Sequence, residues 1–176
     1  MTPAPSSANQ DSIARENARR DSVARAQAAR RTAAAKADSV RRANDARLAA
    51  IASARETLTD AIHFEFDGAA ILAPDRAVMD QKAAIMRANP SLQIRIVGDT
   101  DERGSDEYNL ALGMRRAAAA KQYLTARGVD VARIATASNG EEDPVCRDPD
   151  EICWIQNRRA EFAITAGGDV VVAGIR

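Results

Sequence analysis

The sequence predicts an α+β fold, in which helices cover one face of a single mixed sheet, preceded by a long helix. Segments with the alternation of a strand are interspersed with helix-like segments, in the order β-α-β-α-β-β. Between Pro5 and Gly68 the chain contains neither glycine nor proline, the usual helix breakers. A chain of 176 residues is long enough for one well-buried domain and an appendage, but hardly for two full domains.

The predicted long helix occupies residues 11–58. This segment is rich in alanine and arginine, both good helix formers. Its large apolar residues are few and do not keep a heptad spacing, so a tight coiled coil is not favoured. We expect either a spacer arm between an anchor and the folded domain or a solvated helix without a partner. Residues 1–10 are expected to be disordered.

The folded domain is predicted at residues 59–167, and its elements follow from local patterns. Asp67-Gly68 forms a turn after the first strand, and Pro74 suits the start of a helix because its missing N–H would have no partner there. Residues 168–176 are expected to be a tail or an edge strand. The predicted elements are strands at 62–66, 92–98, 133–138 and 158–164, and helices at 74–88 and 106–128.

Composition excludes several classes of function. The chain has 25 basic and 25 acidic residues, without the concentrated Lys/Arg face that nucleic-acid binding requires. No run of about 18 apolar residues predicts a membrane span, and the start of the sequence lacks the pattern of a signal peptide. We therefore expect no nucleic-acid partner, and any attachment to a membrane to be indirect.

The two cysteines, Cys146 and Cys153, lie seven positions apart in an acidic, proline-containing segment. They could approach disulfide geometry, which would indicate an oxidising compartment. The alternative is two free thiols. A zinc site is less favoured, because His63 is the only histidine and a closed zinc site usually needs four Cys or His ligands. The sequence predicts neither a metal nor a cofactor.

Short polar residues follow the second predicted strand, from Asp99 to Gly104, at an end of the sheet where α/β proteins often bind ligands. Asp101 and Arg116 could flank one pocket there. Arg116 would hold a carboxylate through its planar fork of N–H donors, and Asp101 would accept from an ammonium group, a combination that suits a zwitterion. The alternatives are an intramolecular salt bridge or solvated charges. Asp106 and Glu107 suit the first turn of the following helix.

The segment Gly98–Ala117 contains an ordered set of positions: glycine, Thr-Asp, glycine, asparagine, leucine and Arg-Ala. With this set, residues 61–165 resemble the OmpA C-terminal-like (OmpA/MotB) family of peptidoglycan-binding domains, and are closest to its peptidoglycan-associated lipoprotein branch. The sequences FEFD at 64–67 and QNRRAEF at 156–162 also match family positions. Asp99 stands where that branch often has a histidine, and the segment 143–153 resembles the disulfide loop of OmpA itself. The residues that carry the signature are Gly98, Thr100, Asp101, Gly104, Asn109, Leu112, Arg116 and Ala117.

The resemblance implies a site and its ligand. In the family, the aspartate and arginine at the positions of Asp101 and Arg116 hold the diaminopimelate residue of the peptidoglycan stem peptide. Arg158 and Arg159 fall in a family motif whose role could be scaffolding. Further residues that the resemblance places in or beside the pocket are Thr100, Gly104, Asn109, Leu110, Phe66 and Asp67.

The implied function is non-covalent binding of peptidoglycan in the periplasm of a Gram-negative-type envelope, at the outer membrane. The partners would be the stem peptide and Tol-type envelope proteins, with membrane attachment through a lipid anchor outside this sequence. An enzyme is not expected, because no nucleophile is paired with a histidine base. One alternative is a magnesium-dependent phosphohydrolase that uses Asp99 and Asp101. Another is an envelope scaffold that oligomerises through the helix at 11–58.

Overall fold

The structure, a computed structural model, describes residues 7–168 and 171. The first helix, α1, spans Ser7–Thr59, so it begins four residues before the predicted start. Ser7–Gln10 contains neither glycine nor proline, and nothing in these residues interrupts the helix. Residues 1–6, and all of the predicted tail or edge strand except Gly168 and Val171, lie outside the described residues.

The chain divides into two compact units, Met1–Arg47 and Leu48–Arg176. In the first unit the side chains of residues 8–47 are almost all exposed, as the lack of an apolar face along this segment predicts. In the second unit the end of α1 is part of the hydrophobic core, to which it contributes Ala54 and Leu58.

Lys82 fixes the end of α1 within the second unit. Its ammonium is fully buried and donates to the carbonyls of Thr57, Leu58 and Asp60 over 2.6–2.9 Å. The last carbonyls of a helix have no partner within the helix, so a cation is well suited to this position. The ammonium also lies 4.1 Å from the ring centroid of Phe162.

The second unit contains a four-stranded mixed sheet with the strand order β1-β4-β2-β3. β2 runs parallel to β3 and antiparallel to β4, and β4 pairs with β1 in the antiparallel sense. This arrangement confirms the predicted fold class. In chain order the elements after α1 are β1 (Ile62–His63), α2 (Ala73–Ala88), β2 (Gln93–Asp99), α3 (Asp106–Ala126), β3 (Ile134–Gly140), α4 (Glu151–Asn157) and β4 (Arg159–Ala166).

Two elements differ from the sequence prediction. β1 has two residues instead of five, because the chain turns away from the sheet towards Asp67, which has a positive φ of 54°. The direct β3–β4 connection is wrong, since α4 lies between these strands. Asp150 caps α4 by accepting from the backbone N–H of Cys153 over 2.8 Å. Ile152 in this helix is 76% exposed, so α4 lacks the buried apolar face by which a helix can be predicted from sequence.

Two glycines bring α3 against the end of β2. A Cβ at Gly98 would lie 1.9 Å from the carbonyl oxygen of Gly113, and a Cβ at Gly113 would lie 2.2 Å from Oγ of Ser138. No other residue type allows this approach without a shift of the backbone. The glycine pair therefore places the first half of α3 beside the polar residues that follow β2.

Candidate functional site

A cavity of about 260 Å³ lies where the end of β2, the first half of α3 and the turn after β1 meet. It brings together seven of the eight site residues that the sequence predicts. The exception is Leu110, which lies beside Gly140 at the end of β3, and Leu112 lines the cavity in its place. The lining residues are Phe66, Asp67, Thr100, Asp101, Arg103, Gly104, Tyr108, Asn109, Leu112 and Arg116.

The loop between β2 and α3 is closed by local contacts that the sequence specifies. Gly104 has a φ of 127°, which only glycine adopts readily. Ser105 caps α3 by accepting from the N–H of Tyr108 over 3.3 Å. Asn109 donates through Nδ2 to the carbonyl of Arg103 and to the Glu141 carboxylate. These contacts hold the loop over the start of the helix.

Asp101 is 4% exposed and is held by two arginines rather than standing free. Its two carboxylate oxygens accept from Nε and Nη2 of Arg103 over 3.1 and 2.7 Å, and from Nη1 of Arg158 over 3.2 Å. Burial alone would raise the pKa of Asp101, but the hydrogen bonds from Arg103 and Arg158 outweigh burial and lower it. Asp101 is therefore ionised at neutral pH.

Arg103 is a site residue that sequence reasoning missed. Its guanidinium contacts two aromatic rings, with Cζ 4.1 Å from the ring centroids of both Phe66 and Trp154. Its Nη1 lies 3.6 Å from the Glu151 carboxylate. The available signal was weak, because Trp154 and Glu151 belong to α4, whose existence the sequence did not predict.

Arg116 is completely buried and organises the loops around the cavity. It donates to three backbone carbonyls, through Nε to Gly68 over 2.8 Å, through Nη1 to Asp99 over 2.7 Å and through Nη2 to Glu65 over 3.1 Å. Burial lowers the pKa of Arg116 to about 10, partly opposed by the charge of Asp101. Arg116 therefore stays cationic at neutral pH.

The side chains of Asp99 and Asp101 have different partners, so they do not form a joint metal site. Asp99 accepts from Asn139 over 3.1 Å and lies 3.6 Å from Arg159. Burial raises the pKa of Asp99 to about 6, although the charge of Arg159 opposes this. Within residues 7–168 and at 171, no group of three or more His, Cys, Asp or Glu side chains could hold a metal ion.

The remaining predicted residues lie at the mouth and on the wall of the cavity. Phe66 is 57% exposed, and Asp67 accepts a hydrogen bond from the hydroxyl of Tyr108. Thr100 is 3% exposed, and its Oγ1 is one of three buried side-chain atoms in the described part of the chain that have no hydrogen-bond partner. The hydroxyl of Thr100 is thus an unused donor and acceptor at the cavity.

Cys146 and Cys153 form a disulfide, as the sequence suggested.

Arg158 does not line the cavity. It donates to the carbonyl of Phe64 over 3.2 Å and to the Glu151 carboxylate over 2.7 Å, as well as to Asp101. No helix in the described residues is both long and apolar enough to cross a membrane.

Comparison with known proteins places this site in a family. The profile of the OmpA family matches residues 63–152. A peptidoglycan-associated lipoprotein of Rhizobium meliloti is 46% identical over 109 residues, which are 62% of this chain and 62% of that protein. One from Pasteurella multocida is 43% identical over 58% of this chain and 68% of that protein. The chain therefore spans about two thirds or less of the length of these relatives. Their names agree with the prediction that the chain is not an enzyme.

Solved structures agree with the sequence comparison. The crystal structure of the peptidoglycan-associated lipoprotein from Burkholderia pseudomallei covers 60% of this chain and 89% of its own, with 40% identity and a TM-score of 0.59. The C-terminal domain of Helicobacter pylori MotB has a TM-score of 0.56 over 60% of this chain and 84% of its own, and at 22% identity it shows the shared fold alone. From the match of the family profile to half of its length, the chain belongs to the OmpA family.

Proposed function

We propose that this chain binds peptidoglycan without cutting it, and that the cavity recognises the zwitterionic end of diaminopimelate in the stem peptide. The observation that carries the proposal is the presence of both charge signs in the lining of one cavity, with Arg103 and Arg116 as cations and Asp67 and Asp101 as anions. The names of the relatives, peptidoglycan-associated lipoproteins, support peptidoglycan as the ligand.

Arg116 is suited to the carboxylate of the ligand. A guanidinium carries five N–H groups, and three of those in Arg116 are used by backbone carbonyls. One N–H therefore remains on Nη1 and one on Nη2, and such a pair can hold a carboxylate in the bidentate geometry. The three carbonyl contacts fix the guanidinium in advance, so binding does not have to order this side chain.

Asp67 and Asp101 are suited to the ammonium group of the ligand. Asp67 is exposed and has one donor among the described residues, the hydroxyl of Tyr108, which leaves carboxylate lone pairs for a ligand. Asp101 already has Arg103 and Arg158 as partners, so it adds negative charge and would exchange a contact to bind the ammonium directly.

In the cell, the proposed function is to tether the outer membrane or another part of the envelope to the cell wall. The periplasm of a Gram-negative-type envelope is the proposed location, and the disulfide fits an oxidising compartment. A lipid anchor outside this sequence and Tol-type envelope proteins are proposed as the attachment and the further partners, by similarity to the lipoprotein branch.

The proposal is tested by Arg116→Lys, which keeps the positive charge but loses the fork of donors. We expect retention on purified diaminopimelate-containing sacculi to fall by about tenfold or more, since a bidentate charged contact contributes on the order of 1.5–3 kcal/mol. The matched control is Arg115→Lys, because Arg115 is the exposed neighbour in α3. Both variants are assayed at a temperature where circular dichroism shows them folded. Equal retention of the two variants would contradict the proposal.

A further inference from the structure

Two side chains of the short helix α4, Glu151 and Trp154, contact the arginines that hold Asp101. The Trp154 ring covers one face of the Arg103 guanidinium at 4.1 Å, and its Nε1 donates to the Glu102 carboxylate over 3.2 Å. Glu151 accepts from Arg158 over 2.7 Å. Since Arg103 and Arg158 both hold Asp101, α4 contacts each of the two groups that fix this carboxylate.

The middle and the C-terminal end of α4 are tied to the loop that precedes it. The Cys146–Cys153 disulfide joins the middle of the helix to the loop. At its C-terminal end, Asn157 accepts from the N–H groups of Val145 and Cys146 over 3.0 Å and donates to the carbonyl of Cys146 over 2.7 Å. The position of Trp154 is therefore set by a cross-linked loop and not by burial in the core.

Arg103 needs this support more than the other arginines of the site. The side chain of Arg103 is 31% exposed, whereas Arg116 and Arg158 are at most 4% exposed. A long, partly exposed side chain loses considerable rotamer freedom when it is held in one geometry. Contact with an aromatic ring opposes that loss, and Phe66, the second ring that contacts Arg103, is itself exposed.

We propose that Trp154 is a positioning residue for the ligand site, which acts through Arg103 to orient the Asp101 carboxylate, and that the disulfide-bonded loop holds α4 where Trp154 can do so. The inference rests on the proposed function, because it explains how the acidic side of the diaminopimelate site is kept in one arrangement. It adds a residue outside the cavity lining to the determinants of affinity.

The first experiment compares Trp154→Ala with Trp154→Phe in calorimetric titrations with a diaminopimelate-containing stem peptide. We expect the alanine variant to bind about tenfold more weakly and the phenylalanine variant within about threefold of the unchanged chain, because phenylalanine keeps a ring over the guanidinium. Ile155→Ala is the control, since Ile155 is the exposed neighbour on α4. Equal affinities of the alanine variant and the unchanged chain would overturn the inference.

A second readout needs no ligand. The Nε–H resonance of Arg103 in NMR spectra should be shifted by the two rings and protected from exchange, and both properties should be lost in Trp154→Ala and kept in Trp154→Phe. An Arg103 signal that does not change in the alanine variant would contradict positioning. If the unchanged chain fails to bind the stem peptide while the Arg103 signal responds as expected, the proposed function fails and the contact between Trp154 and Arg103 stands.

The role of the disulfide is tested by replacing both Cys146 and Cys153 with serine. Trp154 is the only tryptophan in the chain, so its emission reports on α4 alone. We expect a shift of the emission to longer wavelength and weaker binding of the peptide in the double variant. Unchanged emission together with unchanged affinity would show that the loop holds α4 without the disulfide, and would overturn that part of the proposal.

Discussion

Charged residues at the end of β2 differ sharply in their surroundings, although they are close in sequence. Asp101 is surrounded by guanidinium donors, and its pKa is lowered. Asp99, two residues before it, is also buried, but among the described residues Asn139 alone donates a hydrogen bond to its carboxylate, and burial raises its pKa to about 6. The surroundings differ because β2 ends at Asp99, whereas Asp101 lies in the following loop, where Arg103 and Arg158 reach its carboxylate.

Asp99 should make stability depend on pH. Its pKa of about 6 in the folded chain exceeds the value of 3.8 expected when the chain is unfolded. The stabilisation from this group is thus complete below pH 3.8 and is lost as the pH rises through 6. We expect Asp99→Asn to raise the free energy of unfolding at pH 7.5 by about 1–3 kcal/mol.

Urea unfolding at two pH values checks this prediction. At pH 4 the gain from Asp99→Asn should largely disappear, because the aspartate is then protonated in the folded chain. Glu142→Gln, at an exposed position in the loop after β3, should change neither value. A loss of stability at pH 7.5, or the same gain at both pH values, would show that ionised Asp99 is not a cost to the fold.

Single residues of the site could be predicted where a sequence motif carried them. Asp101 and Arg116 line one cavity, as the resemblance implied. The hydrogen-bond partners of these two side chains could not be predicted. Arg158, for example, lies 57 positions after Asp101 in the sequence. Arg103 was missed for the same reason, since its importance comes from rings contributed by two other elements.

At the scale of elements, local patterns predicted every strand and the helices α2 and α3 to within a few residues, apart from the shortened β1. Those segments have a regular apolar face, seen in β2 where Ile94 and Ile96 are buried and Gln93 and Arg95 are exposed. The helix α4 has no such face. It is held by a cap, a disulfide and polar contacts instead. Its prediction would have required knowledge of the loop.

The contact between Lys82 and the end of α1 supports a prediction at this scale. Lys82→Met keeps most of the volume but removes the donor for three carbonyls, so we expect the free energy of unfolding to fall by about 2–4 kcal/mol. The loss should be larger at pH 9 than at pH 6, because burial lowers the pKa of Lys82 from 10.5 to about 7 and makes the charged ammonium costly to bury at the lower pH. Lys36→Met, on the exposed part of α1, is the control and should have little effect.

Hydrogen exchange locates the change. The amides of the last turn of α1 should exchange faster in Lys82→Met, while those of β2 should change only as much as global stability does. If the variant is as stable as the unchanged chain at pH 9, the hydrogen bonds of Lys82 do not stabilise the helix end, and the apolar contacts of Ala54 and Leu58 suffice.

At the scale of the whole molecule, the chain combines a compact domain of the OmpA family with a long polar helix. The composition of residues 11–58 predicted the helix, because nothing in it favours any other structure. It could not predict that the last turns of α1 belong to the domain core, since that depends on the surface presented by α2 and β4. The side chains of residues 8–47 are almost all exposed, and the two roles expected of this segment, a spacer or a site of oligomerisation, stay predictions.

The central claim, recognition of a zwitterion, is tested most directly by two stem peptides that differ only in their third residue. Diaminopimelate and lysine both carry a side-chain ammonium, but only diaminopimelate has a carboxylate beside it for Arg116. In calorimetric titrations of the unchanged chain, we predict binding of the diaminopimelate peptide at least about tenfold tighter than that of the lysine peptide. Equal affinity for the two peptides would contradict the account.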